Sequence, residues 1–421
     1  MTRRTRISQF LLCMGLALAS LTPPSGAHAQ AISSPSATAA VAGVLARAVE
    51  RGDTPGVVGL VVDRDGVLFE GASGKLDVAR DLPLGTDAIF NIASMTKPVT
   101  SVAIMMLLEQ GKLALDDPVS KYLPGFDHLR VITKFNAIDG TYETRPAKRT
   151  MTLRHLLTHT SGIGYGFSSP IVARLQRGNE KAEWELPLLH DPGARWTYSA
   201  STRVLGLIVE KITGESLEAY YQEHIFVPLG MIDTSFAVPA AKQSRVITIY
   251  SHADGKFQQQ SGATVPSTPT RPFHGDGGLY STAHDYGQFI RMLLNHGRLG
   301  PARILSAKSV ALMSRNQIGA VFVSQQPAAD PARTRPFPLG AGRDKFGFGF
   351  QVTASSDDGS KYRSPGSLSW AGIYNTEFWI DPKRGIGGVL LMQYLPFYDE
   401  AAIRTLRAFE AAVYEQLLPP R

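Results

Sequence analysis

Strand signals gather at the two ends of this chain, and the long stretch between them reads as helix and turn. Residues 57–62 and 67–70 are apolar runs around Asp65-Gly66, a two-residue hairpin signal. Strand patterns return only past Phe346, in residues 348–352, 377–380 and 387–394. Helical spacing marks residues 35–51, through Ala40, Val41, Val44, Leu45 and Val49, and residues 401–418, through Ile403, Leu406, Phe409 and Val413. Two short sets of strands that cannot each fill a sheet are expected to share one. The expected fold is therefore α/β in the α+β sense: a mostly antiparallel sheet flanked by the terminal helices, plus a helical lobe. The α/β lobe takes residues 30–90 and 345–421, and the helical lobe residues 91–344. Asp139-Gly140 marks a small hairpin inside the latter, and the Pro/Ala-rich residues 325–343 read as a surface loop.

Residues 1–29 read as an export signal and not as part of the fold. Arg3, Arg4 and Arg6 precede a short apolar core, residues 10–21, and Ala27-His28-Ala29 is a small-x-small cleavage pattern. That core is too short to span a membrane. The expected location is periplasmic or secreted, with the domain occupying residues 30–421. The single cysteine, Cys13, falls within the signal, so the exported chain has no disulfide framework, cysteine nucleophile or thiolate metal site. The formal charge of +7 falls to +4 without the three signal arginines. Arg145, Lys148 and Arg149 cluster, but no long basic run interleaves with aromatics, and nucleic acid is not an expected partner.

Chemistry enters at Ser94-Met95-Thr96-Lys97, at the polar start of an apolar helical run. Residues i and i+3 share a helix face, so Lys97 can lie beside the Ser94 oxygen. A serine needs a basic neighbour to become a nucleophile, and a desolvated lysine can serve. By itself the pattern is also met by an ordinary solvated first turn. Tyr198 opens the helix that follows Pro192-Gly193, placed to exchange a proton with Ser94 if cationic neighbours lower its pKa, or simply to pack its ring. Gly372, in Trp370-Ala371-Gly372-Ile373, marks either close approach of a substrate or a bulge, and the N–H groups of Ile373 and Ser94 form a candidate oxyanion hole. His155 and His159 have the i, i+4 spacing of a metal pair but lack the glutamate of a zinc protease, so they are read as structural, with no metal expected. No Gly-x-Ser-x-Gly elbow, phosphate loop or dinucleotide fingerprint occurs, and no cofactor is expected. Tyr165, Phe167 and Tyr374 are candidates for a pocket wall or for ordinary packing.

The ordered set of motifs resembles the serine β-lactamase-like superfamily, which includes class C β-lactamases and D-Ala-D-Ala peptidases, and within it the family VIII carboxylesterases. The shared text runs through Asn91-Ile92-Ala93-Ser94-Met95-Thr96-Lys97, Leu115-Asp116-Asp117-Pro118-Val119 and Leu153-Arg154-His155-Leu156-Leu157-Thr158-His159-Thr160-Ser161-Gly162. It continues through Pro192-Gly193, Tyr198-Ser199, Pro228-Leu229-Gly230-Met231, Gly277-Gly278-Leu279-Tyr280-Ser281-Thr282 and Trp370-Ala371-Gly372. The resemblance implies the β-lactamase/transpeptidase fold, Ser94 as the acylated nucleophile, Lys97 and Tyr198 as its activating network, and Ile373 as the second oxyanion donor. Trp370-Ala371-Gly372 stands where β-lactamases carry Lys-Thr-Gly, and Ala200 where they carry the Asn of Tyr-x-Asn. Both changes replace polar groups with apolar ones, which favours a neutral ester over an anionic lactam. The expectation is an exported serine hydrolase acting on a small-molecule ester. The alternatives are a β-lactamase, D-amino-acid peptidase or amidase, an acyltransferase on the same fold, or a catalytically silent envelope-binding protein.

Overall fold

The structure is a computed structural model that describes residues 34–262, 264–354 and 362–418. Residues 1–29, read above as an export signal, lie outside the described ones. Residues Ser33–Arg421 form one compact unit. It contains an eight-stranded sheet built from β1 (Gly56–Asp63), β2 (Val67–Asp77), β3 (Leu82–Pro83), β4 (Lys345–Phe346), β5 (Gln351–Val352), β6 (Leu368–Gly372), β7 (Thr376–Asp381) and β8 (Ile386–Leu391). The order across the sheet is β4-β5-β6-β7-β8-β1-β2-β3, with antiparallel pairing throughout. The expected sharing of one sheet by both chain ends is thus found, and its seam is β1 on β8, from Val58 opposite Leu391 to Asp63 opposite Ile386.

The principal helices are α1 (Pro35–Glu50), α2 (Thr96–Glu109), α3 (Ser201–Thr213), α4 (Ala283–Leu294) and α5 (Glu400–Ala412). α1 starts at Ser34, whose hydroxyl accepts the Ala37 N–H, and Pro35 occupies its first turn, where no N–H partner is lost. Strand β1 is buried along almost its whole length because both faces of the sheet are covered. Val57 and Val61 meet Leu45 of α1 and Phe409 of α5, while Val58, Leu60 and Val62 belong to the core that includes Phe289 and Ile290 of α4. Glycines set the depth of both contacts. A Cβ on Gly59 would stand 2.8 Å from the Phe409 ring, and one on Gly287 would stand 2.4 Å from Leu60.

The middle of the chain is helical with hairpins inserted. One joins Arg130–Phe135 to Tyr142–Pro146 across the Asp139-Gly140 turn, as that dipeptide foretold. A second joins Tyr250–Ala253 to Lys256–Gln259, so the lobe is not purely helical. Its signal, Asp254-Gly255, places both residues at positive φ, 50° and 70°, the requirement of a tight hairpin turn. α2 runs through the interior of this region, buried around most of its circumference from Thr96 to Met105.

Phe409 is fully buried and contacts the Phe69 and Trp379 rings at centroid distances of 6.1 and 5.8 Å. Phe409→Ala is expected to remove about 3–5 kcal/mol of unfolding free energy in urea denaturation. An unchanged midpoint would mean that the terminal helices do not close the sheet.

Candidate active site

Ser94 stands in a 3₁₀ turn, Ala93–Met95, that feeds directly into α2. The residue before it, Ala93, has φ 43°, a left-handed conformation that a residue with a side chain holds only when its surroundings enforce it. The enforcement is visible. The Asn91 side chain accepts the Ala93 N–H at 3.0 Å, the Tyr286 hydroxyl donates to the Met95 carbonyl at 3.0 Å, and the Thr96 hydroxyl accepts the Leu279 N–H at 3.3 Å.

Lys97 lies one turn on, as the spacing predicted, and its Nζ donates to Ser94 Oγ at 3.0 Å and to the Asp276 carbonyl at 2.6 Å. Only 1% of the residue is exposed. Burial penalises the ammonium and brings the Lys97 pKa down to about 7; Asp276 opposes this and Arg203 adds to it. The amine therefore loses its proton more readily than an exposed lysine.

The Tyr198 hydroxyl accepts the Trp370 indole N–H at 3.4 Å, and Ser94 beside it eases ionisation of the phenol. Its ring is packed among His159, Tyr165, Trp370 and Phe337 at centroid distances of 5.0, 5.2, 4.9 and 5.5 Å. The reading of this tyrosine as a packed ring holds. The condition attached to proton exchange does not: Lys97 Nζ lies 4.8 Å from the ring centre, yet burial pushes the phenol pKa up, so Tyr198 keeps its proton at rest.

Strand β6 brings Trp370-Ala371-Gly372 to the same place. Gly372 forms no bulge in the β6–β7 pairing. A Cβ there would lie 2.4 Å from the Ile92 carbonyl and 2.2 Å from Thr376 Oγ1, so the glycine admits the backbone that leads into the serine turn. The Thr376 hydroxyl donates to that same Ile92 carbonyl at 3.3 Å. Ile373, just beyond, lines the cleft with Ser94. Trp370 supports Tyr198 from behind, and Ala371 borders a separate small cavity beside Glu377 and Arg363. Ala200 is fully buried at the start of α3, with no side-chain cap.

The two histidines serve different structures. His155 Nδ1 accepts the Thr152 N–H at 3.1 Å, within a helix cap. His159 is buried, shares a hydrogen bond with Ser199 at 3.0 Å, and is kept neutral by burial and by Lys97.

The cleft above Ser94 measures about 700 Å³. Tyr165, Phe167 and Tyr374 do line it, and so do Asp330, Pro331 and Arg333. These last three come from residues 325–343, which are irregular as expected but are more than a surface loop. Gln326, Thr334 and Phe337 are buried, Gln326 Oε1 accepts the Tyr198 N–H at 3.2 Å, and Phe337 stacks with Phe167 at 6.3 Å.

Sequence reasoning missed Asp276 and Arg203. Asp276 is buried, with Arg203 Nε donating to its Oδ1 at 2.7 Å and the Tyr165 hydroxyl donating to its Oδ2. The available signal was glycine: Gly275 and Gly277 flank Asp276. A Cβ on Gly275 would sit 3.1 Å from Gly206 of α3, so this pair of glycines lets the segment thread between α2 and α3.

Comparison with known proteins followed from this geometry. A family model described as Beta-lactamase matches residues 41–413. An uncharacterized protein of Mycobacterium tuberculosis is 36% identical over 356 residues, covering 81% of this chain and 86% of the relative. Monacolin J acid methylbutanoyltransferase of Aspergillus terreus is 30% identical over 397 residues, 88% and 94% of the two chains. Esterase EstB of Burkholderia gladioli is 28% identical over 369 residues, 80% and 85%. Among solved structures, EstCE1, a hydrolase with promiscuous acyltransferase activity, superposes with a TM-score of 0.72 at 25% identity, covering 90% of this chain and 98% of that one.

Since a lysine accepts a proton only as the free amine, the sign of the pH dependence is fixed. Phosphonylation of Ser94 by a fluorophosphonate is expected to be slow at pH 5.5, half-maximal near pH 7 and flat above it. A rate independent of pH across that range would remove Lys97 from the reaction.

Proposed function

We propose that this chain, which belongs to the β-lactamase family, is a serine hydrolase that opens carboxylic esters through an acyl-enzyme on Ser94. The family and its fold unite serine hydrolases and acyltransferases. The observation that carries the reading is a buried Lys97 Nζ donating to Ser94 Oγ at 3.0 Å, with the Tyr198 phenol beside them, at the floor of a 700 Å³ cleft.

The free amine of Lys97 takes the Ser94 proton as Oγ attacks the ester carbonyl. The N–H groups of Ser94 and Ile373 hold the oxyanion. Tyr198, protonated at rest, gives its proton to the departing alkoxide and recovers one from the Lys97 ammonium. The alcohol leaves with the proton that Tyr198 held at rest, and the proton that began on Ser94 ends on Tyr198. Water then repeats the sequence on the acyl-enzyme and releases the acid.

Preference for esters over lactams rests on Trp370 and Ala200, which are apolar and buried where the resembled lactamases hold amide- and carboxylate-binding groups. Turnover of a chromogenic cephalosporin is accordingly expected to fall far below that of short-chain aryl esters, and comparable rates would overturn the ester assignment. Export belongs to the same proposal and is supported by the pattern of residues 1–29.

Ser94→Ala is expected to lower turnover of p-nitrophenyl butyrate by about 10³-fold or more, and Tyr198→Phe to lower kcat by about 10²-fold with KM little changed. Near-wild-type turnover in Ser94→Ala would sink the assignment.

A second reading is acyl transfer, favoured by the similarity to a methylbutanoyltransferase and to a hydrolase with acyltransferase activity. The chemistry differs only in whether water or an alcohol meets the acyl-enzyme. Added alcohol is expected to divert part of the acyl group to a new ester at an unchanged rate of acylation. Exclusive formation of acid at molar alcohol would leave hydrolysis alone.

A further inference from the structure

We propose that Arg203 is a positioning residue for this reaction, pairing with the buried Asp276 carboxylate so that this charge does not fix Lys97 as an ammonium. The proposal rests on the roles given above to Ser94 and Lys97, and it names what regulates the protonation of that site.

The geometry runs through one residue. Asp276 accepts the Lys97 amine on its main-chain carbonyl at 2.6 Å, and its carboxylate receives Arg203 Nε at 2.7 Å and the Tyr165 hydroxyl. Lys97 is faced by Ser94 from the turn before α2, by Asp276 from the Gly-rich segment, by Arg203 from α3, and by Tyr165, Tyr198 and His159 from the intervening turns. Asp276 is the one acid in that set. Unpaired, the Asp276 carboxylate would act on the buried lysine by charge alone and raise its pKa by roughly one to three units.

Arg203 prevents this in two ways. Its guanidinium neutralises the carboxylate through a short charge-assisted bond, and its own positive charge disfavours a second cation on Lys97. Burial works against ionisation of Asp276, but the Lys97 and Arg203 charges prevail and hold its pKa low. An arginine suits the task because it stays charged throughout the working range, so the compensation does not titrate away. Arg203 is anchored for it: its guanidinium lies 5.7 Å from the Trp184 ring centre.

The test follows the pH midpoint of Ser94 phosphonylation by a fluorophosphonate, alongside a ¹³Cε NMR titration of Lys97, in four variants of the full chain. Arg203→Met is expected to move both midpoints upward by about one unit or more while the plateau at high pH stays within about tenfold of wild type. Asp276→Asn is expected to move them downward, since Arg203 then acts on Lys97 unopposed. The double variant Arg203→Met/Asp276→Asn returns toward wild type, and Arg203→Lys holds near it. A uniform loss of rate in Arg203→Met with the midpoint unmoved, or a rise in KM alone, would make Arg203 a structural or substrate contact and overturn the proposal. If Arg203→Met does not fold, Asp276→Asn decides, and a midpoint that stays or rises refutes it. Shifted Lys97 titrations without any labelling of Ser94 would uphold the charge arrangement and sink the catalytic reading instead.

Discussion

The pairing of β1 with β8 is the constraint from which the rest of this molecule follows. It makes one sheet out of strands separated by more than three hundred residues and leaves the whole middle of the chain as an excursion from that sheet. The serine turn begins just after the N-terminal strands, and Gly372 ends β6, two strands across from β8. Closing the sheet therefore sets the Ile92 carbonyl against Gly372 and Thr376, and the nucleophile turn against the strand that carries Ile373. The site is a product of sheet closure.

Desolvation is the second organising force. Lys97 is buried under Tyr165 and Tyr198, and its basicity falls mainly for that reason. The same burial raises the Tyr198 phenol. One low-dielectric environment thus pushes the two groups in opposite senses: the lysine gives up its proton more easily and the tyrosine holds its own more tightly. Burial also keeps His159 neutral, so a histidine whose ring centre lies 5.0 Å from that of the tyrosine stays out of the proton traffic.

Much of this was legible in the sequence, for physical reasons. Ser94 and Lys97 were readable because i, i+3 adjacency is a local property of helices, and the shared sheet because β-branched alternation and Asp-Gly turns are local as well. Tyr198 was readable only as one of two roles; the structure shows the packed ring, and proton exchange belongs to the proposal. Asp276 and Arg203 were invisible because their pairing joins residues 73 positions apart and leaves no periodicity. The close approach of the Ile92 backbone to Gly372 was not readable, since a glycine in a strand does not reveal whose backbone comes close. Residues 325–343 looked like surface because Pro and Ala dominate them, yet three widely spaced side chains, Gln326, Thr334 and Phe337, anchor the segment.

That anchoring has a consequence for how the enzyme could diversify. The segment roofing the cleft is tied to the backbone of Tyr198 through Gln326 and to its ring through Phe337. Selectivity and turnover therefore share hardware. Laboratory evolution that reshapes this roof for bulkier acyl groups will perturb the proton carrier in the same stroke, and improved binding will tend to arrive with slower chemistry. Gln176 and Arg177 of the cleft wall, on and just beyond a short helix, make no hydrogen bond or ring contact with Tyr198 among the described residues and offer a freer route to new substrates.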